Sequence, residues 1–225
     1  MSHPFDPAFD QLPATLPIFP LPGILLLPRG KLPLNIFEPR YLAMVRDALR
    51  SDRLIGMIQP SEGAPGATEP VKDGVPVYST GCAGRITTFS ETDDGRFLVT
   101  LRGLIRFTVV NEIPTVGGYR RVVADYARFR ADFDSETATV VDRPRLIGAL
   151  RAYFTLHNIS ADWDAITQTA DEKLVTSLAM ICPFESSEKQ ALLESANLAE
   201  RCRLMTALIE MAVLDRSGDG EAARH

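Results

Sequence analysis

Along residues 16–49 the apolar positions first come in extended runs broken by proline and then switch to helical spacing. Ile18, Phe19, Leu21 and the run Ile24, Leu25, Leu26, Leu27 are punctuated by Pro17, Pro20, Pro22 and Pro28. Proline holds φ at about −65° and withholds a ladder donor, so the pattern predicts short strands at a sheet edge or a barrel corner. Residues 32–37 are extended again, and Pro39 then suits the first position of a helix. Tyr41, Met44, Val45, Ala48 and Leu49 follow at i, i+3, i+4, i+7 and i+8, one buried helical face. With Glu38 as the cap, Phe37 and Leu42 take the two positions of a hydrophobic staple, and the Glu38 carboxylate faces the positive end of the helix dipole.

Residues 54–59 read as a short buried strand, and the proline- and glycine-rich stretch 59–76 as a long surface loop. From 77 to 129 the period is close to two. Gly81 and Gly84 predict a bulge or tight bend inside the run 77–89, and Asp93-Asp94-Gly95 a hairpin turn. Phe97, Val99 and Leu101 alternate before a break expected at Arg102-Gly103, after which Leu104, Ile105, Phe107, Val109 and Val110 continue. A last strand is expected over 119–129, beyond Pro114 and Gly117-Gly118.

Near Asp134 the pattern turns helical. Helices are expected over 144–157, 171–181 and 197–214, with another capped by Ser186 or Ser187 and a short helix or turn over 162–169. The stripe Leu198, Cys202, Met205, Ile209 and Ala212 or Val213 is too narrow to be stable alone, which implies a bundle. The fold class expected is α+β: a twisted β-barrel lobe with one embedded helix over residues 12–130, then a helical bundle lobe over 135–215. Residues 1–11 and 216–225 read as flexible tails.

Composition narrows the setting. A chain of 225 residues with 45% hydrophobic content has ample core material, and its net charge of −5 supplies no general attraction to nucleic acid or anionic membrane. Cys82, Cys182 and Cys202 are odd in number, widely spaced and set in apolar surroundings, which argues against a disulfide framework or a metal site and for a reducing cytoplasm. The first residues lack the basic and apolar regions of a signal peptide, and no apolar run approaches the roughly 20 residues of a membrane span.

Catalytic chemistry finds little material. Around Gly23 and Lys31 the spacing is wrong for a phosphate-binding loop, and Leu32 follows the lysine where Ser or Thr is needed for magnesium. The three histidines are His3 and His225 near the termini and His157 at a helix end, so a Ser-His-Asp site has almost nothing to be built from. Glu38 and Arg40 are the most conspicuous polar pair; they either line a recognition surface beside Tyr41 or simply fix the strand-to-helix corner. Arg85, Arg102, Arg106, Arg120 and Arg121 either form a basic face or are the solvated side of a half-buried sheet.

Three segments stand out as motifs: Pro17-Ile18-Phe19-Pro20-Leu21-Pro22-Gly23, Leu32-Pro33-Leu34-Asn35-Ile36-Phe37-Glu38-Pro39-Arg40-Tyr41, and Gly81-Cys82-Ala83-Gly84-Arg85-Ile86. Together they resemble the LON N-terminal domain, which precedes the ATPase and protease domains of Lon proteases (peptidase S16 family) and also occurs as a separate protein. The resemblance runs over about residues 12–215 and implies a PUA-like barrel. It further implies a non-catalytic module that recognises unfolded or partner polypeptides, without cofactor or metal and with a protease or chaperone as a further partner. The surplus of extended apolar residues in the opening stretch suggests that some of them face a groove. The docking site expected for an extended apolar segment comprises Leu21, Pro22, Phe37, Glu38, Arg40 and Tyr41, with a peptide added edge-on at the Leu21-Pro22 corner. The alternative is RNA binding through the PUA-like barrel, disfavoured by the acidic balance and by the lack of an aromatic and basic stripe.

Overall fold

A computed structural model of the chain describes residues 4–61, 75–133 and 141–222. Residues 62–74 of the loop read over 59–76, residues 134–140 of the link read near 131–142 and the outermost residues of both tails, His3 and His225 included, fall outside the described residues. The chain divides into two compact units, one formed by Met1–Ser135 with Pro183–Leu193, the other by Glu136–Cys182 with Glu194–His225.

Among the described residues the first unit carries six strands: β1 (Thr15–Pro20), β2 (Lys31–Ile36), β3 (Leu54–Ile58), β4 (Thr80–Glu91), β5 (Phe97–Val116) and β6 (Tyr119–Asp125). Their order is β2-β5-β4-β3-β1-β6, and β5 also pairs with β6, so the ladders through β5, β4, β3, β1 and β6 close on themselves. The helix α1 (Pro39–Leu49) lies between β2 and β3 in the chain and buries Tyr41, Met44, Val45 and Ala48, while Leu49 is half-buried. Leu16, Ile18, Leu54, Ile58, Ala83, Ile105, Phe107 and Val122 form the centre of the sheet unit's core.

Several local expectations are revised. β1 is an interior strand, parallel to β3 at Ile18–Pro20 and antiparallel to β6 at Thr15–Pro17. Its prolines are tolerated because each half has one partner only, so each proline needs a donor on one side at most. Ile24 to Leu27 is no strand, yet Leu25, Leu26 and Leu27 are buried, as are Leu16, Ile18 and Phe19. The opening stretch is therefore chiefly core, and the expected surplus of exposed apolar side chains is absent at these positions. β5 runs unbroken through Arg102-Gly103. Gly103 serves close approach there: a Cβ at this position would collide with the Leu27 backbone, which crosses the strand. The bulge signalled by Gly81 and Gly84 is real, with a register shift between Ala83 and Gly84. At Gly81 a side chain would meet the Phe107 ring at 2.5 Å. β6 stops at Asp125, and a 3-10 segment, Ala127–Phe133, takes over.

Of the arginines expected along the sheet, Arg102, Arg106 and Arg120 are not a solvated face, while Arg85 and Arg121 are half-buried. Arg106 is buried and makes a two-pronged ion pair with Asp132, at 2.9 and 2.7 Å. Arg120 is buried and paired with Glu112, and Arg102 is paired with Asp6. Buried guanidinium groups keep their charge, so the fold supplies carboxylates for them.

The later helices are α2 (Arg143–Leu156), α3 (Trp163–Gln168), α4 (Asp171–Ile181), α5 (Ser186–Glu194) and α6 (Leu198–Ala222). Asp142 and Asp162 cap α2 and α3 by accepting from the amides of Arg145 and Ala165. In the second unit α6 packs along α2 and α4, with Cys202, Met205, Leu208 and Ile209 buried, and Arg143 pairs with Asp171. Its backbone stays helical beyond Leu214, where the sequence periodicity ends, as far as Ala222. α5, read from the sequence as part of the helical lobe, packs with the sheet. It is tied there by polar groups: Gln190 donates to Thr80 O, Lys189 Nζ to Gly23 O, and Arg106 to Leu193 O.

Candidate functional site

The corner where β2 turns into α1 assembles most of the residues singled out in the sequence. Pro39 opens the helix, and the free amides of Tyr41 and Leu42 find the Glu38 carbonyl at 3.0 and 2.9 Å. The Glu38 carboxylate does not cap the helix. It turns instead to Arg40, accepting from Nε at 3.0 Å and from Nη2 at 2.9 Å. A guanidinium two residues away competes better for the carboxylate than amides already served by a carbonyl. The Arg40 guanidinium lies 4.7 Å above the Tyr41 ring, and that ring packs at 4.1 Å against Phe19 of β1. Glu38, Arg40, Tyr41 and Phe19 thus form one continuous contact set.

Tyr41 is buried, so it supports the corner from below and offers no face of its own. Phe37 does the opposite. It is 60% exposed at the end of β2, with the Arg96 guanidinium 5.7 Å from its ring centre, and so is not stapled tightly against the helix. Leu21 and Pro22 are half-buried and join the contact set along the chain, through Phe19 and Pro20. The Leu21 amide donates to Ile58 O at 3.0 Å, so the backbone here continues the pairing with β3. With β1 interior and this amide engaged, the corner does not offer the edge-on docking expected of it.

A second feature was not legible in the sequence. The tip of the β5–β6 hairpin reaches α1, where a Cβ on Gly118 would lie 3.6 Å from the Arg40 Cβ. Both Gly117 and Gly118 have positive φ, at 68° and 81°, and that turn brings the Tyr119 hydroxyl to Asp47 at 2.9 Å. Burial raises the Tyr119 pKa above the usual phenol value, and the bond to Asp47 adds to the shift.

Among the described residues no group of three or more His, Cys, Asp or Glu is placed to hold a metal ion, and no helix is long and apolar enough to cross a membrane. Cys82, Cys182 and Cys202 are buried free thiols. Burial raises the Cys202 pKa, which keeps that thiol protonated and inert.

The family model described as the ATP-dependent protease La (LON) substrate-binding domain matches residues 15–211. Lon protease 2 of Myxococcus xanthus is 25% identical over 212 residues, which are 89% of this chain and 24% of that protein. Lon protease of Parabacteroides distasonis is 27% identical over 208 residues, which are 88% of this chain and 24% of the relative. The chain therefore spans about a quarter of the curated relatives it matches. Among solved structures, a Lon N-terminal domain protein from Xanthomonas campestris superposes with a TM-score of 0.57 at 24% identity, covering 86% of this chain and 97% of that one. The N-terminal domain of Mycobacterium avium complex Lon protease gives 0.58 at 16% identity, covering 87% and 97%. These two likenesses concern the fold.

Proposed function

We propose, because the chain belongs to the LON substrate-binding domain family, that it is a non-catalytic module which captures unfolded or partner polypeptides in the cytoplasm and passes them to a protease or chaperone. Its closed circuit of ladders is then the PUA-like twisted barrel of that family, and the α2, α3, α4 and α6 helices its bundle.

The observation that carries the reading is Phe37. A large aromatic side chain left 60% exposed at the junction of a strand and a helix is an anchor for an apolar partner residue. Its support is stiff: Pro39 opens α1, the Glu38–Arg40 pair spans the corner, and Tyr41 rests on Phe19. Half-buried Leu21 and Pro22 extend the proposed surface, with Glu38 and Arg40 as its polar rim and Tyr41 beneath. RNA binding gains nothing from the structure, since Arg102, Arg106 and Arg120 are consumed by Asp6, Asp132 and Glu112.

The test is retention of unfolded casein by Phe37→Ser beside the unsubstituted chain. Affinity is expected to fall about tenfold or more, with the melting temperature nearly unchanged because the ring is mostly in water already. Equal retention by both proteins removes the site. No retention by either removes the function.

A further inference from the structure

Away from that corner, the last turn of α1 and the residues after it face the start of β1 and β6 across a cleft of about 360 Å3. Asp47, Ser51 and Asp52 line the α1 side; Thr15, Tyr119 and Arg121 line the strand side. The volume lies within the range of small-molecule sites, roughly 300–1,000 Å3.

Two of the charges in this cleft, Arg121 and Asp52, have no ion-pair partner among the described residues. Arg121 donates to the Thr15 hydroxyl at 3.4 Å, and among the described residues it has no carboxylate partner. Asp52 has no ion-pair or hydrogen-bond partner among the described residues. Asp47 accepts from Tyr119 and lies 3.4 Å from Arg50, a long and exposed contact. Both Asp47 and Arg121 act on the Tyr119 phenol, in opposite senses, so the two signs of charge flank one hydroxyl without pairing across it. Arg102, Arg106 and Arg120 of the same unit, by contrast, pair closely with Asp6, Asp132 and Glu112. A cleft with carboxylates on one wall and a guanidinium on the other repels a lone cation from one side and a lone anion from the other. It complements a molecule carrying both charges.

We infer that this cleft binds a small amino-carboxylate zwitterion, a free amino acid or short unblocked peptide. Its ammonium is held by Asp47 and Asp52 and its carboxylate by Arg121. Thr15 and Ser51 add hydroxyl groups to the walls, and the apolar residues lining it, Leu16, Ala48 and Leu54, are themselves buried. This site is separate from Phe37 and does not depend on polypeptide capture there.

The experiment is calorimetric titration of the full chain with Ala-Ala, N-acetyl-Ala-Ala and Ala-Ala amide near pH 7, with the Tyr119 ring signals followed by NMR. Saturable binding of Ala-Ala is expected, at least tenfold weaker for each blocked form, together with a shift of the Tyr119 signals. Asp52→Asn and Arg121→Gln should each weaken it about tenfold, with melting temperatures unchanged as the check on folding. Phe37→Ser should leave it untouched. Absence of saturation, equal binding of free and blocked forms, or unmoved Tyr119 signals overturns the assignment. If Ala-Ala amide alone retains full affinity, the cleft is a cation site and the zwitterion claim fails.

Discussion

Gly103 and Leu27 touch through their backbones: the Leu27 carbonyl occupies the place where a Cβ on residue 103 would have to be. The same crossing is stitched by Arg29 N donating to Gly103 O at 2.8 Å and Gly103 N donating to Gly30 O at 2.9 Å. Neither backbone can yield without breaking these bonds. Gly103→Ala is therefore expected to cost more than about 2 kcal/mol in denaturant unfolding. Gly148, exposed inside α2 with nothing within 4 Å, is the counterpart. Gly148→Ala should stabilise by about 0.5–1 kcal/mol, since only unfolded-chain entropy and helix propensity change there. Equal effects at both positions would contradict the crossing.

Asp132 neutralises a guanidinium that has almost no water. Arg106 and Asp132 side chains are 6% and 8% exposed, and the Arg106 group also lies 4.6 Å from the Phe129 ring centre. Asp132→Ala strands a buried charge and is expected to cost about 3–5 kcal/mol, whereas the double change Arg106→Met with Asp132→Leu should cost far less. Denaturant midpoints of the two variants check this. A single change milder than the double one would mean that Arg106 finds another partner.

Alkaline stability should be governed by two phenols. Burial raises the Tyr126 pKa, its hydroxyl donating to Pro13 O at 3.1 Å, and burial with the Asp47 bond raises that of Tyr119. Both hold their protons in the folded chain at pH values where the unfolded chain releases them. Their stabilisation is thus complete below the unfolded phenol pKa of about 10 and is lost as pH rises from there through the folded values. Unfolding free energies at pH 8, 9.5 and 11 should fall at the upper end, and Tyr126→Phe should flatten that fall. An identical slope in the variant would exclude Tyr126 as a cause.

Pro33 sits in β2, which among the described residues pairs with β5 alone and so presents an outer edge. Lys31 and Pro33 are the residues that blunt such an edge, one by charge and one by withholding a donor. Pro33→Val should leave the melting temperature nearly unchanged but produce concentration-dependent association in sedimentation. A monodisperse variant would show the edge to be otherwise protected.

Much of this was written locally. The face Tyr41, Met44, Val45 and Ala48 follows from 3.6-residue spacing, and the turn at Gly95 from Asp-Asp-Gly, because both depend on neighbours within one element. Gly103 misled because a glycine in a strand looks the same whether it ends the strand or admits a crossing chain; only the distant Leu27 decides. Arg106 misled for a similar reason, since its partner Asp132 is 26 positions away and belongs to another element. At the candidate site the corner was legible from Pro39 and the period change. The exposure of Phe37 and the reach of Gly118 to Arg40 depend on how three separate elements meet, and periodicity carries no such information.

The path of α5 has a consequence for inheritance. Pro183–Leu193 belongs to the sheet unit, while the segments on both sides of it belong to the other. A gene cut near residue 135 would deprive the sheet of the groups that satisfy Thr80 O, Gly23 O and the buried Arg106 guanidinium. The two units are thus interleaved along the chain, and recombination can transfer them only together, as one heritable cassette.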